Sequence, residues 1–250
     1  KFATPFYAVG KNQLMWDSDL SPEGIATNYK LPLGASDELL LNGAALWLEE
    51  REEGVDTSLW GAQAALKHYF DENKKQYILG GLGWYCYGNI KGQTDLKSTW
   101  NSKSSFFGNT PDPADPNLFQ NDYDIFEAFA EYSFEMGKMP VSIFGEFAKN
   151  CTAETAGDTG WLTGFALNKA KDPGSWEFCY DYRDIEADAV VGALNDSDFI
   201  GGGTNGKGHR FSFAYQLMKN VQMGPTYFLN ERGDDDDEYR RLQFDVVLKF

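Results

Sequence analysis

The chain has 250 residues, a formal net charge of −16 and a mean hydropathy of −0.48. This acidic balance argues against nucleic-acid binding, which requires a basic surface. No apolar run reaches the roughly 18 residues of a membrane-spanning helix, so a helical membrane protein is excluded. A transmembrane β-barrel is not excluded, because its strands need only about 9–11 residues each.

Alternating apolar and polar residues predict an all-β, antiparallel chain of about twelve strands in a single domain, residues 1–250. Successive side chains of a strand point to opposite faces, so a period of two marks a strand whose faces meet different surroundings. The predicted strands cover residues 2–9, 24–33, 38–50, 59–70, 75–89, 123–135, 139–150, 160–170, 175–191, 209–218, 221–231 and 239–250.

The predicted connections between these strands alternate in length. The long ones are residues 10–23, 51–58, 90–122, 151–159, 192–208 and 232–238. The short ones are residues 34–37, 71–74, 136–138, 171–174 and 219–220. Transmembrane barrels have short periplasmic turns and long extracellular loops. If the chain ends at the periplasmic side, every short connection falls there and every long one lies outside.

The last predicted strand shows the face pattern most clearly. One face carries Leu242, Phe244, Val246, Leu248 and Phe250. The other face carries Arg241, Gln243, Asp245 and Lys249, interrupted only by Val247. An apolar outside around a polar inside is typical of a membrane barrel. The alternative is a soluble β-sandwich or lectin, which also has many strands and turns.

Three motifs stand out besides the terminal strand that ends at Phe250: the run WDSDLSPEG at residues 16–24, residues 176–183 with 188–190, and DSDFIGGG at residues 196–203. Together these segments resemble a family of outer-membrane proteins of Gram-negative bacteria known as "putative porins". The resemblance implies a β-barrel porin that forms a trimer. Family members carry further strands ahead of the WDSD motif, which implies sixteen strands for a natural barrel against twelve in this chain.

A porin acts through its lumen, and the alternation predicts which charged residues line it. The candidates are Glu127, Glu131, Glu135, Glu146, Asp181, Arg183, Arg210, Arg241 and Asp245. In a closed barrel, an acidic wall on the sixth and seventh strands would face a basic wall on the ninth, tenth and twelfth. Such walls would create a transverse field that favours polar or charged solutes. Alternatively, these residues pair locally or only solvate the lumen.

The longest predicted loop, residues 90–122, carries its own aromatic side chains, Trp100, Phe106 and Phe107. A long loop of this composition folds back on its scaffold more readily than it stays extended in solvent. We expect it to enter the barrel as a constriction loop. The alternative is a surface cap that packs against neighbouring loops or another subunit.

Other motifs give weaker signals. Two Asp-Ser-Asp runs, at residues 17–19 and 196–198, could supply oxygens to Ca²⁺ or form ordinary Asx turns; we assign no metal and no cofactor. The two histidines, His68 and His209, lie in no nucleophile motif, so we expect no enzyme. The odd cysteine count predicts no disulfide framework, although a Cys86–Cys179 bridge remains an alternative.

The sequence therefore predicts an outer-membrane porin, a passive channel for small hydrophilic solutes or ions. The expected partners are the lipid bilayer, lipopolysaccharide and two further copies of the chain in a homotrimer, with no nucleic acid. Two alternatives remain: a plugged barrel that acts as an adhesin, receptor or assembly partner, and a soluble carbohydrate-binding β-protein.

Overall fold

The computed structural model describes residues 3–11, 14–51, 54–94, 96 and 106–249. Within them, eleven antiparallel strands form one sheet in the order of the chain. The strands are β1 Glu23–Leu33, β2 Asp37–Glu49, β3 Thr57–Tyr69, β4 Tyr77–Gly88, β5 Asp124–Met136, β6 Met139–Asn150, β7 Thr159–Asn168, β8 Trp176–Ile185, β9 Gly206–Met218, β10 Val221–Arg232 and β11 Asp237–Leu248. No helix in these ranges is long and apolar enough to cross a membrane.

Each strand pairs with the next, and β1 and β11 form the two edges of the sheet. Eleven of the twelve predicted strands are present with small shifts at their ends. The predicted first strand, residues 2–9, is wrong, because residues 3–8 form no strand and Val9–Lys11 is a 3-10 turn. The predicted strand 175–191 ends at Ile185, beyond which the chain turns.

The two faces of the sheet differ as the alternation predicts. One face, called the outer face here, exposes large apolar side chains: Ile25 at 71 %, Trp60 at 64 %, Leu82 at 57 %, Leu242 at 70 % and Phe244 at 65 %. The opposite, inner face holds charged residues that are nearly inaccessible. Such a distribution is the reverse of a soluble sheet, which hides its apolar face.

The inner face is covered by the start of the chain, called the inner segment here (residues 3–11 and 14–20). Phe6 packs edge-on against Tyr85 with ring centroids 4.9 Å apart, and Tyr7 stacks on Phe129 at 5.8 Å. Gly61 on β3 makes room for this packing, because a Cβ there would lie 2.6 Å from the Phe6 ring. Burying each large apolar side chain of this segment contributes about 1.5–3 kcal/mol.

Connections of contrasting length lie at the two ends of the strands. The turns 34–36, 70–76, 137–138, 169–175 and 219–220 share one end, and the connections 50–56, 89–123, 151–158, 186–205 and 233–236 share the other. The predicted alternation holds for most neighbouring connections, but 50–56 is no longer than the turns 70–76 and 169–175, and the last connection at the loop end, 233–236, is short. In the loop 186–205, Ile200 and Gly201–Gly203 all have positive φ, a conformation that three glycines accommodate without a Cβ clash.

Candidate functional site

A polar network on the inner face holds the inner segment in place. The Gln63 side chain clamps the backbone of Tyr7 from both sides: its Oε1 accepts from the Tyr7 N–H at 2.7 Å, and its Nε2 donates to the Tyr7 carbonyl at 3.2 Å. The same Nε2 also donates to Glu127 at 3.0 Å. Asn42 links Gln63 to Asn28, which donates to the carbonyl of Pro5 at 2.5 Å. Side chains of β1–β3 thus make hydrogen bonds with the backbone of this segment that a neighbouring strand would otherwise make.

Three buried carboxyl groups on β5 and β6 complete the network. Glu127 accepts from the Tyr85 hydroxyl at 2.9 Å. Glu146 accepts from the backbone N–H of Leu14 at 3.1 Å. Glu131 accepts from two phenols, those of Tyr7 at 3.1 Å and Tyr77 at 2.6 Å. Two of the three acidic side chains therefore bind the inner segment directly.

A chain of alternating charges runs along β8 and β9. Asp181 is fully buried, and its two oxygens accept from the Nε of Arg183 and the Nε of Arg210, each at 2.7 Å. Arg183 is 1 % exposed and also pairs through Nη1 with Asp196 at 2.7 Å. Because an unpaired charge is costly to bury, these ion pairs hold the charged side chains of β8 and β9 in one arrangement.

The two Asp-Ser-Asp motifs meet at the loop end of the sheet. The backbone N–H of Ser197 donates to Asp17 at 3.0 Å, and the N–H of Asp17 donates to the Leu194 carbonyl at 2.7 Å. Each motif also closes an Asx turn, Asp19 N–H to Asp17 and Asp198 N–H to Asp196, both at 3.0 Å. The described residues contain no group of three or more side chains that could hold a metal ion.

Charge at this junction is balanced by arginines. Burial opposes ionisation of Asp196, but the adjacent Arg183 guanidinium holds the pKa of its carboxyl below the usual value. Arg241 pairs with Asp198 at 3.0 Å. Burial, and then the neighbouring carboxylates of Asp17 and Asp198, raise the pKa of Asp19. The junction thus ties the inner segment to the loop 186–205 and to β11.

The other predicted site residues lie apart from the network. Glu135 sits at the turn end and pairs with Lys75 at 2.9 Å, and Asp245 lies on the inner side of β11 among residues that are more exposed. The facing-wall hypothesis is not tested by these contacts, but Glu135, Arg183, Arg210 and Arg241 all pair locally.

The long loop packs on other loops where it is described. Asn109 donates to the carbonyls of Ala187 and Val190 at 2.7 and 2.8 Å. The Phe107 carbonyl accepts from the Thr204 N–H at 2.8 Å, and Phe106 packs edge-on against Phe119. Trp100 and most of residues 95–105 lie outside the described residues, as does Phe250.

Sequence reasoning missed the inner segment and its clamp. Residues 2–9 alternate like a strand, and nothing in that pattern shows that side chains satisfy the backbone. A usable signal existed in β1–β3, where the inward positions carry uncharged amides, Asn28, Asn42 and Gln63. Amides can both donate and accept, which suits them to bind an irregular backbone.

The histidines and Cys86 lie on the outer face, whereas Cys179 lies on the inner face and accepts a hydrogen bond from Arg210. His68 and His209 lie on the outer face, where His68 contacts Asp37 at 2.8 Å and His209 contacts the Tyr180 hydroxyl at 2.9 Å. The three cysteines form no disulfide, so the Cys86–Cys179 alternative is wrong. Cys86 lies beside Trp84 on the outer face and Cys179 on the inner face.

An antiparallel sheet with an apolar exposed face and a charged covered face has the face pattern of a transmembrane β-protein. A family model described as "Putative porin" matches residues 122–250. The chain belongs to this porin family. No curated protein and no solved structure matches the chain. Membership implies a porin-like channel of the outer membrane rather than an enzyme.

Proposed function

We propose that the protein is an outer-membrane porin, a passive diffusion channel for small hydrophilic solutes or ions. The observation that carries this proposal is the opposition of the two faces: Leu82 and Phe244 stand exposed outside, while Glu127, Asp181 and Arg183 are covered inside. In a bilayer the outer face would meet lipid, and the inner face would line an aqueous path narrowed by the inner segment.

The proposal requires the sheet to close into a barrel. In an antiparallel sheet the odd-numbered strands run in one direction, so edge strands β1 and β11 are parallel to each other. Barrels of this kind keep all neighbours antiparallel. Closure therefore needs an odd number of additional strands between the two edges. A homotrimer would associate through the outer face, where Ala64, Ala128 and Ala130 allow close approach, with lipopolysaccharide and lipid around the rest.

Single-channel current in a planar bilayer under a salt gradient tests the proposal. Purified full-length protein should give a stable ohmic conductance, and its reversal potential would assign the preference for cations or anions. An acidic excess along the path predicts cation preference. Absence of conductance from protein that is folded and heat-modifiable on a gel would contradict the proposal.

A plugged barrel that serves as a receptor, adhesin or assembly partner is the second candidate. The inner segment favours it, because this segment covers the inner faces of β3–β6 and donates hydrogen bonds to Gln63, Glu131 and Glu146. The same current measurement separates the two candidates, since a plugged barrel does not conduct.

A further inference from the structure

A cavity of about 290 Å³ lies between the inner segment and the inner faces of β4–β9, towards the end with the short turns. Its charged lining consists of Glu131, Glu177, Lys169 and Arg210. Five hydroxyl groups also line it, those of Tyr7, Tyr77, Ser133, Ser142 and Ser212. We propose that this cavity binds a small zwitterionic solute, with one cationic and one anionic group on a short carbon skeleton. The proposal rests on the porin function only for the solute's route through the membrane.

Glu131 and Arg210 lie at the two ends of one transverse row of the sheet. Register places Glu131 beside Phe144, Phe144 beside Gly164, Gly164 beside Asp181, and Asp181 beside Arg210. Four strand spacings of about 4.8 Å separate the two ends by about 19 Å along the sheet. Phe144, packed under Gly10, and Asp181 lie between them on this row. Both end side chains line the cavity, which lies on the turn side of the row.

Glu131 and Arg210 both have contacts within the protein. Glu131 accepts from two neutral phenols and forms no salt bridge within the described ranges, while the Lys67 ammonium, which lies over the Tyr77 ring, interacts with it electrostatically. Arg210 donates through Nε to Asp181 at 2.7 Å and through Nη2 to the Cys179 sulfur at 4.0 Å. Its Nη1 makes no hydrogen bond with the described residues, and the side chain lines the cavity.

The balance of charge selects the class of solute. Two carboxylates and two cations give the lining a net charge of zero, so an ion of one sign gains little from it. A solute with both signs can place its ammonium group near Glu131 and its carboxylate near Arg210, where a charge-assisted hydrogen bond would hold it. The volume is at the small end for ligand sites, which suits a molecule of amino-acid size.

Cys179 lines the cavity and offers a probe of its occupancy. The test uses full-length protein in detergent or vesicles with Cys86→Ser and Cys151→Ser, so that Cys179 alone reacts with a small methanethiosulfonate reagent. Alanine is the zwitterionic probe and its neutral isomer lactamide is the control. Alanine at twice its dissociation constant should slow labelling about threefold by mass action, and lactamide should not. Equal protection by both isomers, protection by a neutral sugar alone, or no labelling of Cys179 at all would overturn the proposal.

Paired substitutions identify the charges responsible. Glu131→Gln and Arg210→Gln should each remove the protection by alanine. Glu238→Gln and Arg240→Gln, from an exposed pair near the loop end, should leave it intact. Unchanged protection in both cavity variants would also overturn the proposal. Potassium chloride conductance of the same preparations reports the porin function separately, because labelling needs no transport: conductance with no alanine protection defeats only the site, and protection with no conductance defeats only the porin.

Discussion

At the scale of single residues, Arg183 links two carboxylates of the inner face. It is 1 % exposed and is paired with Asp181 and Asp196. Replacing it by Met leaves Asp181 buried with only Arg210, and removing one partner of a buried ion pair costs about 3–5 kcal/mol. We expect Arg183→Met to lower the free energy of unfolding by this amount in urea titrations followed by tryptophan fluorescence.

Arg240→Met is the matched control for this change. Arg240 pairs with Glu238 in an exposed position, where such pairs contribute about 0–1 kcal/mol. A loss at Arg183 no larger than the loss at Arg240 would show that the buried chain of charges does not stabilise the fold.

We expect two carboxylates at the loop end, Asp196 and Asp19, to change the free energy of unfolding with pH in opposite directions. The pKa of Asp196 is lowered in the folded protein, so its ionisation favours folding; this contribution is complete above the unfolded pKa and is lost as pH falls through the folded pKa. Asp196→Asn should cost about 1.5–3 kcal/mol at pH 7, the worth of a hydrogen bond to a charged group. The deficit relative to the native protein should shrink below about pH 4.

Asp19 provides the counterpart, because its pKa is raised in the folded protein. Its ionisation therefore disfavours folding, and protonation stabilises the fold as pH falls through the folded pKa. Asp19→Asn should be neutral or stabilising at pH 7, with the difference disappearing in acid. Urea unfolding of both variants from pH 7 to pH 3 checks the two signs; a parallel response of both would contradict the assignment.

At the scale of elements, the inner segment is the feature that controls how wide an aqueous path can be. Gln63→Leu removes the clamp on Tyr7 and leaves both of its backbone groups without their side-chain partner. We expect the segment to loosen and single-channel conductance to rise. Gln216→Leu is the control, because Gln216 is equally buried on the inner face but bonds to backbone carbonyls near its own turn and to the Gln222 side chain, and not to the inner segment. Unchanged conductance in Gln63→Leu, or the same change in both variants, would show that the segment does not limit the path.

Sequence predicted regular strands well and irregular segments poorly, for a physical reason. A strand such as β5 can be recognised in the sequence. Its two faces meet different surroundings, and this imposes a period of two on Phe126, Glu127 and their neighbours. The inner segment has no such constraint: its Phe6 and Tyr7 meet different parts of one face, and its backbone is satisfied by side chains distant in sequence. The meeting of residues 17–19 with residues 196–198 is likewise a long-range contact that no local pattern encodes.

The same limit applies to the candidate site residues: the sequence predicted the face on which they lie but not their contacts. The alternation placed Glu127, Glu131, Glu146 and Asp181 on the covered face. It could not predict that Glu131 and Glu146 bind the inner segment, since that requires knowing what covers the face. Inward amides such as Gln63 carried this information, but a neutral side chain gives a weaker signal than a charge.

At the scale of the whole molecule, substitutions at two adjacent residues of β11 test which face of the sheet contacts lipid. Phe244 is exposed on the outer face and Gln243 lies on the inner face. Arginine at the lipid-facing midplane of a barrel costs about 2–4 kcal/mol, whereas lumenal substitutions are tolerated. We therefore expect Phe244→Arg to lower the free energy of unfolding in lipid vesicles by about this amount, and Gln243→Arg to lower it much less. Equal or reversed effects would mean that the apolar face is not in contact with lipid, and would favour a soluble β-protein whose exposed apolar face is covered by another protein surface.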